Sequence, residues 1–285
     1  MPDTPRLQVR RLPDGRMHLS DGPIDLIIQA WGDEPEIRRA YDAASTSMLS
    51  VLDRLCGELP TLRARQPGPA LHGPVARRMQ LAVAAHAADH FITPMAAVAG
   101  AVAEHVLAAM TDAAELTRAS VNNGGDIALH LTAGTQVSIA IAAPTHPPSL
   151  LGTIRITAED GVRGLATSGW RGRSHSLGIA DAVTVLAPRA ADADAAATLI
   201  ANAVNLPGHP GITRIPARDL APDSDLGDHP VTRDVPPLPP DSCAVALCAG
   251  AALAERLCRR SIITAAFLHV QGQSRVVGPA ERYLA

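Results

Sequence analysis

A carboxylate and a hydroxyl stand four residues apart near the start of a predicted helix over residues 191–205. Asp194 and Thr198 therefore project from one face of that helix, close to its N-terminus. With nearby carbonyl oxygens they form a set of hard oxygen donors that suits Mg²⁺, and substrate phosphates would complete the shell. The alternative needs no metal, because Asp192 or Asp194 can cap the helix N-terminus.

A glycine pair lies in a turn between two predicted strands. The turn reads Asn122-Asn123-Gly124-Gly125-Asp126. Its two glycines would let backbone N–H groups approach a phosphate or a carbonyl-rich ring closely. A hairpin turn is the alternative, because its positive φ angles favour Asn and Gly.

A polar loop follows the strand that ends at Thr167-Ser168-Gly169. The loop reads WRGRSHSLG and contains hydroxyls, Arg171, Arg173 and His175. Guanidinium groups bind phosphate oxygens in a bidentate manner, so this loop could hold an anion or a diphosphate. His175 could act as an acid or base near neutral pH. A surface loop whose arginines face solvent is the alternative.

His86 and His90 are also four residues apart, within a predicted helix. Two imidazoles on one helical face can bind zinc, but a third ligand and the glutamate of an HExxH motif are missing. We therefore expect partly buried or solvent-facing histidines here rather than a zinc site.

Composition argues against several classes of function. The chain has 285 residues, a net charge of −3 and no lysine, so its positive side chains are thinly spread arginines, which do not suit a nucleic-acid groove. No apolar signal-peptide core and no uninterrupted apolar run of membrane-spanning length occurs, which predicts a cytoplasmic protein that does not enter the membrane. The four cysteines lack CxxC spacing, which predicts reduced thiols.

The helices and strands that must position these residues are predicted from the spacing of apolar residues, which changes between helix-like and strand-like along the chain. Residues 1–30 contain an N-terminal β-meander, from about residue 6, and an apolar stripe from Glu34 predicts a helix that ends near Gly57. Residues 76–90 and 95–110 read as alanine-rich helices.

Short β-type runs with Gly, Asn or Pro between them then predict an antiparallel sheet; they read ASVNNGGDIALHL, TQVSIAIA, GTIRITA, GVRGLATSG and ADAVTVLA. Residues 207–240 contain nine prolines and no usable period, which indicates a proline-rich excursion, either an ordered surface segment or a mobile flap. Residues 241–285 return to a helix and strands. We expect one α+β domain over residues 1–285.

Four segments together resemble the ApbE-type flavin transferases, and more closely a short, soluble branch of that superfamily. They are FITPMAAVAGAVAEHVL (91–107), VNNGGDIAL (121–129), GLATSGWRGRSHSLGIADAVTVLA (164–187) and ADAAATLIANAV (193–204). Similarity continues through Leu226-Gly227-Asp228 and the C-terminal helix. The resemblance implies a T-fold-related architecture in which an antiparallel sheet packs against helices.

The same resemblance implies an Mg²⁺-assisted reaction at the diphosphate of FAD. Either FMN is transferred to a Ser/Thr hydroxyl of an acceptor protein, or FAD is hydrolysed. Asp194 and Thr198 match the metal-binding A-D-x-x-x-T helix of the family, and the GGD turn and TSG loop would shape the nucleotide pocket. His175 would stand in for the histidine of the family segment HxIDPxTG, whose D-P-x-T-G part is absent here.

Two further hypotheses compete with this enzyme. The first is a non-catalytic module that binds a small nucleotide, a pterin or another metabolite. The second is self-association into a homo-oligomer through residues 207–240 or through the alanine-rich helices.

Overall fold

The computed structural model describes residues 6–143, 149–172, 174–279 and 282–283. The strands are β1 (Gln8–Arg11), β2 (Met17–Asp21), β3 (Ile24–Trp31), β4 (Arg118–Asn123), β5 (Asp126–Leu131), β6 (Gln136–Ala143), β7 (Ser149–Thr157), β8 (Gly164–Ser168), β9 (Ala182–Ala187), β10 (Thr213–Pro216), β11 (Pro230–Asp234), β12 (Ala265–Val270) and β13 (Gln273–Val277). The helices are α1 (Glu34–Met48), α2 (Val51–Gly57), α3 (Leu59–Leu62), α4 (Pro74–Ala84), α5 (Val98–Ala113), α6 (Ala190–Ala203), α7 (Ala217–Leu220) and α8 (Pro240–Arg259).

Contacts along the chain divide it into two compact units. The first unit holds the described residues of Met1–Gln136, Thr157–Leu165 and Arg189–Asp192. The second unit holds those of Val137–Ile156, Ala166–Pro188 and Ala193–Ala285. The single domain expected over residues 1–285 stays a prediction.

The first unit contains an antiparallel sheet with the strand order β1-β2-β3-β4-β5, and the start of β8 pairs with β5. Burial alternates along β2, β3 and β4, as expected for strands with one buried face. Leu19, Leu26, Ile28 and Val121 lie on that face and are 0% exposed. The helices of this unit provide the opposite side of its core.

Helix α5 is the central helix of the first unit, where it contacts α1, α4, β4 and β5. With the 3-10 turn Pro94–Ala97 before it, the segment Pro94–Ala113 is long and apolar enough to cross a membrane by length and composition. Half of its most apolar window is buried inside the described structure. The core helix of a soluble protein has the same properties, so this helix is weak evidence for a membrane.

Two predicted helices are shorter in the structure. The helix predicted from Glu34 to Gly57 is interrupted, because Ser50 has a non-helical ψ of 4° between α1 and α2. Helix α4 ends at Ala84, so the predicted helix over residues 76–90 is wrong in its second half, and His86 and His90 lie beyond the end of α4. Alanine-rich sequence favours helix at every position, so tertiary packing decides where such a helix ends.

The second unit contains the end of β8 followed in order by β9, β12 and β13. β12 is antiparallel to both β9 and β13, and α8 packs against β12 and β13. All six residues of β9 are buried, which is typical of a central strand. The predicted α+β class, with an antiparallel sheet packed against helices, is confirmed, whereas the T-fold relation stays a prediction.

The proline-rich residues 207–240 carry regular structure that the sequence pattern did not indicate. β10 and β11 form an antiparallel pair, and α7 follows β10 directly. The Thr232 hydroxyl in β11 donates a hydrogen bond to the Gly178 carbonyl at 2.7 Å. This buried contact favours the ordered alternative over a flap for this part of the segment.

Candidate functional site

The glycine pair forms a two-residue hairpin turn in the first unit. Asn123 and Asp126 face each other across the ends of β4 and β5, and the φ angles of Gly124 and Gly125 are +66° and +117°. The Gly125 N–H donates to the Asn122 side-chain oxygen at 2.8 Å. The turn alone therefore explains both glycines. A Cβ atom at Gly125 would meet nothing within 4 Å, so the space beside the turn is open.

Asn123 connects this turn to the core of the first unit. Its side chain is 8% exposed, and its Nδ2 donates to the Ala99 carbonyl in the first turn of α5 at 3.2 Å. The amide therefore positions the hairpin relative to the helix.

The start of α6 lies against two glycines of the first unit. A Cβ atom at Gly100 of α5 would lie 2.6 Å from the Ala190 carbonyl carbon and 2.8 Å from the Ala191 nitrogen. A Cβ atom at Gly164 of β8 would also overlap the Ala190 backbone. Because no side chain fits at either position, glycine allows the backbones to approach closely here.

Glu104 caps the first turn of α6. Its Oε1 accepts the Ala191 N–H at 2.9 Å, and burial raises the pKa of the Glu104 carboxyl. Asp192 instead accepts two hydrogen bonds from Arg189, both of 2.7 Å. Glu104 therefore caps the Ala191 N–H, whereas the sequence predicted a cap by Asp192 or Asp194. Sequence reasoning missed Glu104, although its four-residue spacing from Gly100 places both on one face of α5.

The metal candidates lie further along α6, in the second unit. Asp194 and Thr198 are half-buried, at positions that present both oxygens to one side of the helix. Their neighbours Ala193, Ala195, Ala196 and Ala197 are at most 1% exposed. A helix packed this closely holds its few polar side chains in fixed positions.

Asp194 and Thr198 suit Mg²⁺ better than a metal ion whose ligands all come from the protein. Within the described ranges, no three His, Cys, Asp or Glu side chains cluster closely enough to hold an ion. Mg²⁺ is commonly bound by one or two carboxylates, with waters and substrate phosphates in the other positions. Asp194 and Thr198 are oxygen donors of the kind that such a site uses.

The TSG segment is fixed by backbone and side-chain contacts of the second unit. The hydroxyls of Thr167 and Thr184 are 2.8 Å apart, and Thr184 is 1% exposed. A Cβ atom at Gly169 would lie 2.9 Å from the Asp181 carbonyl carbon. The backbone N–H of Trp170 donates a hydrogen bond to the Ala180 carbonyl at 3.0 Å, so the two ends of the loop are held together.

Arg171 is positioned by two neighbours. Its guanidinium lies 4.2 Å from the centroid of the Trp170 ring, and its Nε donates to Asp181 Oδ1 at 3.3 Å. Asp181 is 8% exposed, and its other oxygen accepts the Gln271 N–H at 2.6 Å. Arg171 is therefore more ordered than an arginine that only faces solvent. Arg173, the other arginine of the predicted site, lies outside the described residues.

The loop around His175 is tied to the later part of α6. His175 is half-buried, and the next residue, Ser176, donates from its hydroxyl to Asn202 Oδ1 at 3.0 Å. The Leu177 N–H donates to the same oxygen at 2.8 Å. A Cβ atom at Gly178 would lie 2.8 Å from the Val204 carbonyl oxygen.

Within the second unit, the structure thus brings the loop that contains His175 against the helix that contains Asp194 and Thr198. The predicted residues Asn123 to Asp126 belong to the first unit.

UPF0280 proteins are among the curated relatives of this chain. A UPF0280 protein of Methanopyrus kandleri is 44% identical over 158 residues, which are 54% of this chain and 60% of that protein. A UPF0280 protein of Methanothrix thermoacetophila is 39% identical over 133 residues, which are 46% of this chain and 52% of that protein. The chain therefore spans about half to three-fifths of the length of these curated relatives.

Two solved structures of flavin transferases can be superposed on most of the chain. The apo form of the Pseudomonas stutzeri flavinyl transferase ApbE has 13% identity and a TM-score of 0.44, with 95% of each chain covered. The flavin transferase ApbE of Vibrio cholerae has 15% identity and a TM-score of 0.40, with 98% of this chain and 100% of that chain covered.

A family model gives the more extensive sequence match. The model described as "AbpE bacteria" matches residues 9–276, a range that begins in β1, ends in β13 and includes all the candidate site residues. The chain therefore belongs to the AbpE bacteria family.

Proposed function

We propose that this chain acts with Mg²⁺ on FAD or a related nucleotide diphosphate, either by FMN transfer to an acceptor protein or by cleavage of the pyrophosphate bond. The observation that carries the proposal is the family match over residues 9–276. That range includes all four segments that carry the flavin-transferase resemblance, and the GGD turn, the TSG loop and α6 lie in three of them.

Asp194 and Thr198 are the proposed metal ligands. Their spacing and half-buried positions on α6 support this role. A bound Mg²⁺ would neutralise charge on the diphosphate and favour in-line attack. The helix contributes rigidity, because the alanines around the two side chains are buried.

Arg171 is the proposed phosphate-binding side chain of the TSG loop. Stacking on Trp170 and the bond to Asp181 support this role, because they restrict the guanidinium before any ligand arrives. Only one of its five N–H donors is used by Asp181. Thr167, Ser168 and Gly169 of the loop, and Arg173 after it, are proposed to contact the same nucleotide.

His175 is the proposed acid or base. It would accept the proton of the attacking Ser/Thr hydroxyl, or of water, as that oxygen bonds to the FMN phosphorus. The bond between that phosphorus and the bridging oxygen breaks at the same time, and AMP leaves with the bridging oxygen. The backbone N–H groups of the turn from Asn123 to Asp126, in the first unit, stay predicted nucleotide-binding groups.

Incubation of the purified chain with FAD and MgCl₂ tests the proposal, with FMN and AMP measured by chromatography and acceptor labelling by mass spectrometry. We expect product only with Mg²⁺, and a loss of about a hundredfold or more in Asp194→Asn. Asp42→Asn, at an exposed position on α1, is the matched control and should keep full activity. If FAD raises the melting temperature but is not consumed, the chain is a binding module. If FAD is neither bound nor consumed, the proposal is wrong.

A further inference from the structure

An open cavity of about 480 Å³ lies in the first unit, beside α4, α5 and the start of α6. Its lining residues are Pro74, Arg77, Arg78, Leu81, Glu104 and Arg189. We call this cavity the arginine groove. Its volume falls within the usual range for small-molecule sites, and none of the candidate flavin-site residues lines it.

Positive charge exceeds negative charge in the arginine groove. Three guanidinium groups line it, from Arg77, Arg78 and Arg189, and Glu104 contributes the carboxylate of the lining. Asp192, the acidic partner of Arg189, adds a second negative charge. Arginine stays protonated across the physiological pH range, so an excess of positive charge remains even when both carboxylates are ionised.

Several guanidinium N–H groups have no acceptor within the described part of the chain. Arg189 uses Nε and Nη2 to bind Asp192, which leaves Nη1 for another acceptor. Arg78 Nε lies 3.7 Å from Glu104 Oε2, a distance too long for a hydrogen bond. Glu104 cannot turn to Arg78 freely, because its other oxygen caps the Ala191 N–H. These donors can bind an added anion without breaking an existing hydrogen bond.

Two apolar residues also line the arginine groove. Leu81 is 62% exposed, although it is a large aliphatic side chain, and Pro74 lies in the same lining. A ligand with an apolar body could cover both residues and remove them from water. An ion without such a body would use only the arginines.

We propose that the arginine groove binds a small organic phosphate, with the phosphate on Arg77, Arg78 and Arg189 and the apolar body against Leu81 and Pro74. Phosphate oxygens accept paired hydrogen bonds from the planar guanidinium, which distinguishes this anion from a halide. The groove shares no lining residue with the proposed FAD site, so either proposal can fail alone.

Calorimetric titration of the intact chain tests this inference, with phenyl phosphate as the probe and inorganic phosphate and phenol as comparison ligands. We expect phenyl phosphate to bind more tightly than either comparison ligand. The double variant Arg77→Gln/Arg78→Gln should weaken binding by about tenfold or more. Arg10→Gln on the exposed strand β1 removes the same type of charge away from the groove and should change binding by less than about twofold.

Leu81→Glu gives an independent test, because an exposed helix position accepts glutamate without repacking. It should weaken phenyl phosphate binding by about tenfold while the unfolding transition stays unchanged. The inference is overturned if phenyl phosphate fails to bind at about 10 mM, or if Leu81→Glu and Arg10→Gln bind it equally. FAD turnover by Leu81→Glu should match the unaltered chain, which separates this result from a failure of the FAD proposal.

Discussion

Replacement of Gly100 by alanine tests whether the first residues of α6, Ala190 and Ala191, are positioned by backbone contact with α5. The new methyl carbon would lie 2.6 Å from the Ala190 carbonyl carbon and 2.8 Å from the Ala191 nitrogen. Both atoms belong to the main chain, so no side-chain rotation relieves the overlap. The start of α6 must therefore move away from α5, and the bond from Ala191 to Glu104 lengthens with it.

Three contributions determine how much Gly100→Ala lowers the free energy of unfolding. Overpacking costs about 1–3 kcal/mol, and loss of a hydrogen bond to a charged group costs about 1.5–3 kcal/mol. Alanine is about 0.5–1 kcal/mol better than glycine inside a helix, which offsets part of the loss. We expect Gly100→Ala to lower the free energy of unfolding by about 2–5 kcal/mol.

Urea denaturation followed by far-ultraviolet circular dichroism measures this change. Gly57→Ala is the matched control, because Gly57 ends α2 and a Cβ atom there would meet nothing within 4 Å. The control should be within about 1 kcal/mol of the unaltered chain. Close packing of Ala190 and Ala191 on α5 is refuted if Gly100→Ala is as stable as Gly57→Ala.

Three further substitutions have expected outcomes. Burial raises the pKa of the Glu104 carboxyl above its usual 4.5. The stability that protonated Glu104 contributes is therefore complete below about pH 4.5 and is lost as the pH rises through the folded-state pKa. In Glu104→Gln, melting temperatures measured against pH should no longer show this loss. Thr184→Val should cost about 1 kcal/mol in urea unfolding, because the buried hydroxyl bond is lost; an unchanged midpoint would argue against that bond. Arg171→Ala should expose the Trp170 ring and shift its fluorescence to longer wavelength, and an unshifted spectrum would contradict the stacking.

Most of the secondary structure follows from local pattern. The alternation of apolar and polar residues predicts β2 and β3, because neighbouring residues of a strand face opposite sides of the sheet. The glycine pair predicts the turn between β4 and β5, because its positive φ angles favour glycine. The end of α4 at Ala84 carries no such signal, since the alanines beyond it also favour helix. The pairing of β10 with β11 could not be predicted either, because the prolines in this segment interrupt the alternation of apolar and polar residues that identifies a strand.

The candidate site was predictable only as separate segments. Asp194 and Thr198 are visible from their spacing, and Arg171 from its loop. The residues that hold the first turn of α6 and Arg171 are not visible in this way, because Glu104 and Asp181 act through contacts between positions far apart in the chain: Glu104 reaches Ala191, and Asp181 reaches Gln271. Such pairings depend on the fold and leave no local period.

The proposed role of Asp194 is to hold a magnesium ion that would in turn bind the diphosphate of FAD. Titration of FAD fluorescence with the purified chain, with and without MgCl₂, measures this directly. We expect Mg²⁺ to tighten FAD binding by about tenfold or more in the unaltered chain and to have no effect in Asp194→Asn, while Asp42→Asn keeps the full Mg²⁺ effect. Equal FAD affinity with and without Mg²⁺ in the unaltered chain, or an Mg²⁺ effect that survives in Asp194→Asn, would contradict the claim.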